Sequence, residues 1–294
     1  MEQTPPALRF RADGTFTIVQ FTDLHVQNGQ AADLETAALM CEVLDAERPD
    51  LVVLTGDVIY GLDCADPLRS WTDAVTPILD RNLPWAAVFG NHDDEGAATR
   101  DQLMAFQMTL PGCLSSPGPA SPSGVGNYTL PVLSGPANVA ATTPAARLYF
   151  LDSHGYADQA HKEYAWIHQD QIDWFLKNAA DQPCPSLVFF HIPLPEFNDV
   201  WNAGGCDGSK HEPVCCASVN SGFFDAMKSA GNVLGAFVGH DHVNDFTGEL
   251  AGIRLCYGRA TGYNTYGREQ FPRGARIISL QDNGSRFETR VKLR

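Results

Sequence analysis

The sequence predicts an α/β fold, a sheet whose faces are covered by helices. Three observations carry this. Short β-branched or aromatic runs recur along the chain, and most are continuous rather than alternating, as in strands buried on both faces. Between the early runs lie apolar residues at i, i+3, i+4 spacing, the mark of amphipathic helices. The 294 residues are 44% hydrophobic and 19% charged, enough apolar material for a substantial core.

The elements follow in order. "TFTIVQFTD" is the first strand. A helix over 33–47 carries Leu34, Ala37, Ala38, Cys41 and Leu44 on one face. "DLVVLTGD" is the next strand. A second helix spans 66–81, with Asp66 as cap, Pro67 in the first turn, and a stripe of Leu68, Trp71, Val75, Ile78 and Leu79. Pro77 is expected to bend it. After the strand "WAAVFGN", residues 111–146 are rich in Pro, Gly, Ser and Ala and read as a surface excursion with one strand near Tyr128. "RLYFLDS" and "SLVFFHI" are strands, separated by a helix marked by Ile172, Phe175, Leu176 and Ala179. Residues 194–220 form a connection longer than the ~12–15 residues beyond which loops are usually functional or disordered. "VLGAFVGH" follows. The tail from 246 to 294 reads as all strand, through "GIRLCYG" and "ARIISLQD", with "DNGS" a hairpin turn. No repeat or break divides the chain, so 1–294 reads as one domain.

A net charge of −15 disfavours a nucleic-acid partner, which normally meets a basic face. It leaves a small phosphate ester open, because bound cations can reverse the local sign of a site. "MEQTPPALRFRADG" has neither the basic nor the apolar region of a secretory signal, and no apolar run approaches the ~20 residues needed to span a bilayer. The expectation is a cytoplasmic protein without a membrane partner, the mature form of an exported one being the alternative. Most of the eight cysteines sit beside apolar residues and read as reduced thiols. Cys206, Cys215 and Cys216 fall in a Gly-rich stretch and leave one disulfide open.

The chemistry gathers at strand ends. "FTDLH" offers Asp23 and His25, "TGDVIY" Asp57, and "GNHD" Asn91, His92 and Asp93. "FFHIP" offers His191, and "GHDH" offers His240 and His242. Gly56, Gly90 and Gly239 let the backbone turn sharply before these groups. Singly the motifs say little: a "DLH" suits any strand end, and "GD" is as often a turn. Paired histidines two apart in an extended chain do point to one side. Five of the nine histidines and three aspartates fall at strand C-termini, where α/β folds place their sites. That convergence predicts a metal centre. Imidazole, carboxylate and amide donors suit Zn, Fe, Mn or Co rather than Ca or a thiolate-seeking metal.

In this order the five motifs resemble the calcineurin-like metallophosphoesterases, over roughly residues 15–260. "LPWAAVFGNHD", "FFHIPLPE", "NSGFF", "GHDHVNDF" and "GIRLCYG" are similar to the Dcr2-type branch, to which plant proteins named like purple acid phosphatases also belong. The resemblance implies a four-layer α/β architecture: a two-sheet β-sandwich flanked by helices, with a centre of two divalent or trivalent metal ions. Asp23, His25, Asp57 and His242 would hold one ion, and Asp57, Asn91, His191 and His240 the other. Asp57 would bridge, its two oxygens serving cations ~3.5–4 Å apart. A bridging water made acidic by both ions would attack the ester, and His92 would return a proton to the leaving alkoxide. Asp93 or a backbone carbonyl would fix the His92 ring. Tyr60 stands at the D-x-x-Y spacing of the purple enzymes' iron–tyrosinate bond. In those enzymes the position of His25 is not histidine, so Tyr60 reads here as a packing residue.

Candidates for holding the organic part of a substrate are His154 in "LDSHGY", His211 in the 194–220 loop, and Arg259, Tyr263, Asn264 and Tyr266 in "GRATGYNTYG". Ordinary turn residues would look the same. His161 and His168 flank a helix start and read as solvated. The leading reading is a dinuclear metal-dependent hydrolase of phosphomonoesters or phosphodiesters, acting on a small phosphate ester or a phosphoprotein. No Arg or Lys adjoins the metal motifs, which favours a diester; resemblance to Dcr2, a phosphoprotein phosphatase in kind, favours a monoester. A non-catalytic metal-binding scaffold of the same fold is the alternative, opposed by the retention of every ligand type together with His92. A nuclease is disfavoured by the negative charge.

Overall fold

Period-two alternation sorts the central strands' side chains between two cores. In β1 (Thr15–Phe21) and β2 (Leu51–Thr55), Ile18, Leu51 and Val53 point to one side, and Val19, Val52 and Leu54 to the other. Both faces are buried, which is why β2 and β3 (Trp85–Val88) carry no exposed residue. The structure, a computed structural model, describes residues 7–135, 144–158, 160, 163–181, 184–282, 284 and 286–294.

β1, β2 and β3 run parallel. β12 (Gly274–Gln281) and β13 (Phe287–Leu293) complete a five-stranded sheet in the order β13-β12-β1-β2-β3, with β12 antiparallel to both β1 and β13. The second sheet is built from β4 (Tyr128–Leu133), β5 (Pro144–Phe150), β8 (Ser186–Phe189), β9 (Val233–Val238), β10 (Thr247–Leu250) and β11 (Ile253–Tyr257). Its order is β10-β11-β9-β8-β5-β4. Between the sheets, Tyr128, Phe150, Phe189 and Phe237 stack in a row across four neighbouring strands, with centroids 4.6–5.3 Å apart.

Helices close both outer faces. α1 (Ala31–Glu47), α2 (Pro67–Leu79) and α3 (Arg100–Gln107) pack on the first sheet. α4 (Gln169–Asp181), α5 (Glu196–Ala203) and α6 (Phe223–Ala230) pack on the second. The result is the expected four layers of helix, sheet, sheet and helix. Asp66 caps α2 by accepting from Arg69 N at 3.1 Å. Pro77 lies in its last turn, so the helix stops two residues later instead of continuing through a bend. A small antiparallel pair, β6 (Tyr156–Asp158) with β7 (Glu163–Tyr164), stands apart from both sheets.

Several expectations need correction. The stretch 194–220 is no bare loop, since it contains α5, held by Phe197 and Val200 in the second outer core. The tail is not all strand either: residues 258–273 are irregular between β11 and β12. In the 111–146 excursion the strand at Tyr128 is present as β4, while 136–143 lie outside the described residues. Asn283 and Ser285 of the hairpin turn, and His161, lie outside them too. All eight cysteines are free thiols, Cys206, Cys215 and Cys216 included. Among the described residues no helix is long and apolar enough to cross a membrane.

Candidate metal centre

The C-terminal ends of β1, β2, β3, β8 and β9 meet where the two sheets abut, and every metal-ligand motif follows one of them within a few residues. The backbone there is strained. Asp23, His25, Asp57 and His240 have φ of 54°, 49°, 50° and 78°, left-handed values that side-chain-bearing residues rarely adopt. Hydrogen bonds hold them there: His25 N donates to Asp57 O at 2.9 Å, and His240 N to the Asp23 carboxylate at 3.0 Å. Gly90 is required by close approach, because a Cβ on it would lie 2.1 Å from Asp57 Oδ1.

The side chains converge in two overlapping groups. Ligand atoms of Asp23, His25, Asp57 and His242 lie within 4.8 Å of one another, as do those of Asp57, His191 and His240, and all six residues are buried. Asp57 Oδ2 is 3.2 Å from His191 Nε2 and 3.6 Å from His25 Nε2. His242 Nε2 is 3.5 Å from Asp23 Oδ1, and His240 Nδ1 is 3.2 Å from His191 Nε2. Asp57 Oδ2 and Asn91 Oδ1 are buried and accept no hydrogen bond. Bare buried acceptors are costly unless something meets them, and a cation does so for both. The donor set fits the two ions that the resemblance implies.

Neighbours fix the rings for that task. His191 Nδ1 faces Thr55 O at 2.7 Å and His242 Nδ1 faces Thr265 Oγ1 at 2.8 Å, which leaves each Nε2 toward the cluster. Burial, with other imidazoles beside them, pushes His25 and His240 down to about 3, so both rings keep a free lone pair. Burial works against ionisation of Asp57, but His191 and His92 outweigh it and hold its carboxyl well below the usual range.

His92 stands at the rim. Its N–H donates to Asp57 Oδ1 at 2.9 Å, and its Nδ1 lies 2.5 Å from Glu95 Oε2. Glu95, not Asp93, therefore orients the ring. Asp93 turns inward and accepts from Gly90 N, Asp57 N and Ile59 N at 2.7, 3.0 and 3.0 Å, tying two ligand loops together. Tyr60 packs its ring 5.2 Å from that of His92 and 5.9 Å from that of His25.

The proposed substrate residues divide. His154 bonds Gln171 at 3.0 Å and stacks on His168 at 4.3 Å, so His168 is not simply solvated. With Asn91, Glu95, Arg100 and Tyr156, His154 lines a recess of about 310 Å³ beside the cluster. Arg259 is not available to a substrate. It is buried, pairs with Asp245 at 2.6 Å, donates to Pro272 O and covers the Phe271 ring. His211 packs edge-on against that same ring, outside both ligand groups. Tyr263 packs on the core under the first sheet's helices, and Asn264 bonds Asp33. Tyr266, by contrast, stacks on His242 with centroids 4.1 Å apart and donates to Glu212 Oε2 at 2.8 Å. Glu212 Oε1 accepts from Val243 N at 2.8 Å, and Cys215 N donates to Asp241, so the long loop pins the "GHDH" turn.

A four-layer sandwich with buried histidines, aspartates and an asparagine at converging strand ends defines a metallophosphoesterase. Residues 16–244 match the family described as calcineurin-like phosphoesterase, and the chain belongs to that family. It is 39% identical over 95% of its length to "Probable inactive purple acid phosphatase 29" of Arabidopsis thaliana, covering 80% of that protein. It is 35% identical to "Phosphatase DCR2" of Saccharomyces cerevisiae, over 84% of this chain and 48% of that one. Among solved structures, a dimetal phosphatase from Danio rerio superposes with a TM-score of 0.58 at 14% identity, covering 93% of this chain and 98% of that one, a likeness of fold.

Proposed function

We propose that this protein hydrolyses phosphate esters with two bound metal ions, His92 acting as general acid and Glu95 steering it. The carrying observation is the pairing of His92 with Glu95 at the rim of the ligand cluster. With Nδ1 engaged, Nε2 is the nitrogen left to face a leaving group. One ion would be held by Asp23, His25, Asp57 and His242, the other by Asp57, Asn91, His191 and His240. When bound, such ions polarise phosphoryl oxygens and lower the pKa of water toward neutrality; the donors suit Mn, Fe, Zn or Co.

The recess beside Asn91 and Glu95 accommodates the departing group. Arg100, its lining arginine, is engaged by Asp152, Asp94 and the Gly90 carbonyl. That favours a diester, whose single charge needs less compensation than a monoester dianion. The yeast relative's name favours a phosphatase. The word "inactive" in the plant relative's name favours a metal-binding scaffold, and the His92–Glu95 pair weighs against it.

The test is hydrolysis of alkyl and p-nitrophenyl mono- and diesters by Mn²⁺-loaded protein, with chelated protein as control. His92→Ala should lose roughly 10²–10⁴-fold on alkyl esters and far less on p-nitrophenyl esters, whose leaving group hardly needs a proton. Equal losses on both would remove the acid role. Full metal content without hydrolysis would establish the scaffold.

A further inference from the structure

An asparagine is an ambiguous metal ligand. One end of its carboxamide attracts a cation and the other repels it, and a half-turn about the last side-chain bond exchanges them. A carboxylate has no such ambiguity. Asn91 therefore needs a neighbour that holds the end turned away from the cation. Tyr156 is that neighbour: its hydroxyl oxygen accepts from Asn91 Nδ2 at 3.0 Å, and Oδ1 is left buried without a hydrogen-bond partner. A hydroxyl can also donate, so Tyr156 anchors the amide and a cation at Oδ1 selects the direction.

Tyr156 is not alone in this position. Across the small hairpin it is register partner to Tyr164, and the two rings stack at 5.5 Å and 22°. The Tyr164 ring in turn stands perpendicular to that of His240, with centroids 4.5 Å apart. The hairpin thus touches Asn91 and His240, which belong with Asp57 and His191. The other ligand group has separate support. His242 rests on Thr265 Oγ1 and under the ring of Tyr266, both from the irregular segment between β11 and β12.

We infer that the β6–β7 hairpin buttresses one metal position and not the other, with Tyr156 as the positioning residue that anchors the Asn91 amide, its oxygen toward the cation. The inference rests on the two-metal reading above, but its test needs no hydrolysis. Each position having its own outer support, the two ions are separable by mutation.

Mn²⁺ is titrated calorimetrically into the chelator-stripped protein, and the spin-coupled pair signal is followed by electron paramagnetic resonance. Wild-type protein should take two ions. Tyr156→Phe keeps the stacked ring and loses only the hydroxyl. It should bind one ion as before and the other about 10–100-fold more weakly, the usual cost of removing a ligand's outer partner, with the pair signal reduced in step. Tyr164→Phe, whose contact with His240 is through the ring, should keep both. Two ions bound unchanged by Tyr156→Phe would overturn the inference alone. So would equal weakening of both positions, the signature of general damage. A wild-type chain that takes a single ion would fell the two-metal reading and this inference with it.

Discussion

His92 Nδ1 and Glu95 Oε2 are 2.5 Å apart, three residues from one another in the loop after β3. Burial disfavours a charged imidazole there, but Asp57 and Glu95 outweigh it and hold the His92 pKa above the ordinary value. A general acid must be protonated, so its contribution is present below its pKa and lost as pH rises through it.

Glu95→Gln should remove one of the two charges that raise that pKa. The basic limb of kcat/KM should then move to lower pH, and hydrolysis of alkyl esters at neutral pH should fall by about tenfold, the difference between a charge-assisted and a neutral hydrogen bond. Rates on p-nitrophenyl esters should change little. A pH profile identical to wild type would show that Glu95 does not act through the ring.

Arg259 allows a sharper separation of structure from chemistry. It is 3% exposed, and its Asp245 partner also accepts from Ser209 N in the long loop. Arg259→Met leaves that carboxylate buried and unpaired, which should lower the unfolding free energy by roughly 3–5 kcal/mol, read from urea denaturation. KM for a p-nitrophenyl ester should stay at the wild-type value. A raised KM with full stability would return Arg259 to the substrate.

Strand tips were legible because each ligand motif directly follows a continuous apolar run, as "WAAVFG" precedes Asn91. What lay beyond the tips was less so. After His92 come Asp93, Asp94 and Glu95, three acids of which one can reach the ring. The choice is made by backbone curl: Asp93 is drawn inward by three amides and Asp94 pairs with Arg100 at 3.2 Å. Helix α3 went unread: the Thr99 and Gln102 residues that form its reciprocal capping box were its one sequence mark, and its apolar stripe is short. Tyr263 and Asn264 were misplaced for a different reason. Their loop is set by bonds to Thr36 and Asp33, more than two hundred residues away in the chain, and no local pattern reports such contacts.

Asp93 carries the last prediction. Its carboxylate satisfies three buried backbone N–H groups, on Gly90, Asp57 and Ile59. Leaving a buried donor unmet costs about 1–3 kcal/mol. Asp93→Ala should therefore destabilise chelator-treated protein by roughly 3–6 kcal/mol, less than full additivity because the loops relax. Asp57, its backbone N–H no longer held, should bind metal more weakly at both positions, unlike the one-sided loss expected from Tyr156→Phe. The pH limb assigned to His92 should stay where it is in Asp93→Asn, because Glu95 still holds the ring. A stable Asp93→Ala protein with a displaced pH limb would instead make Asp93 the residue that acts on His92.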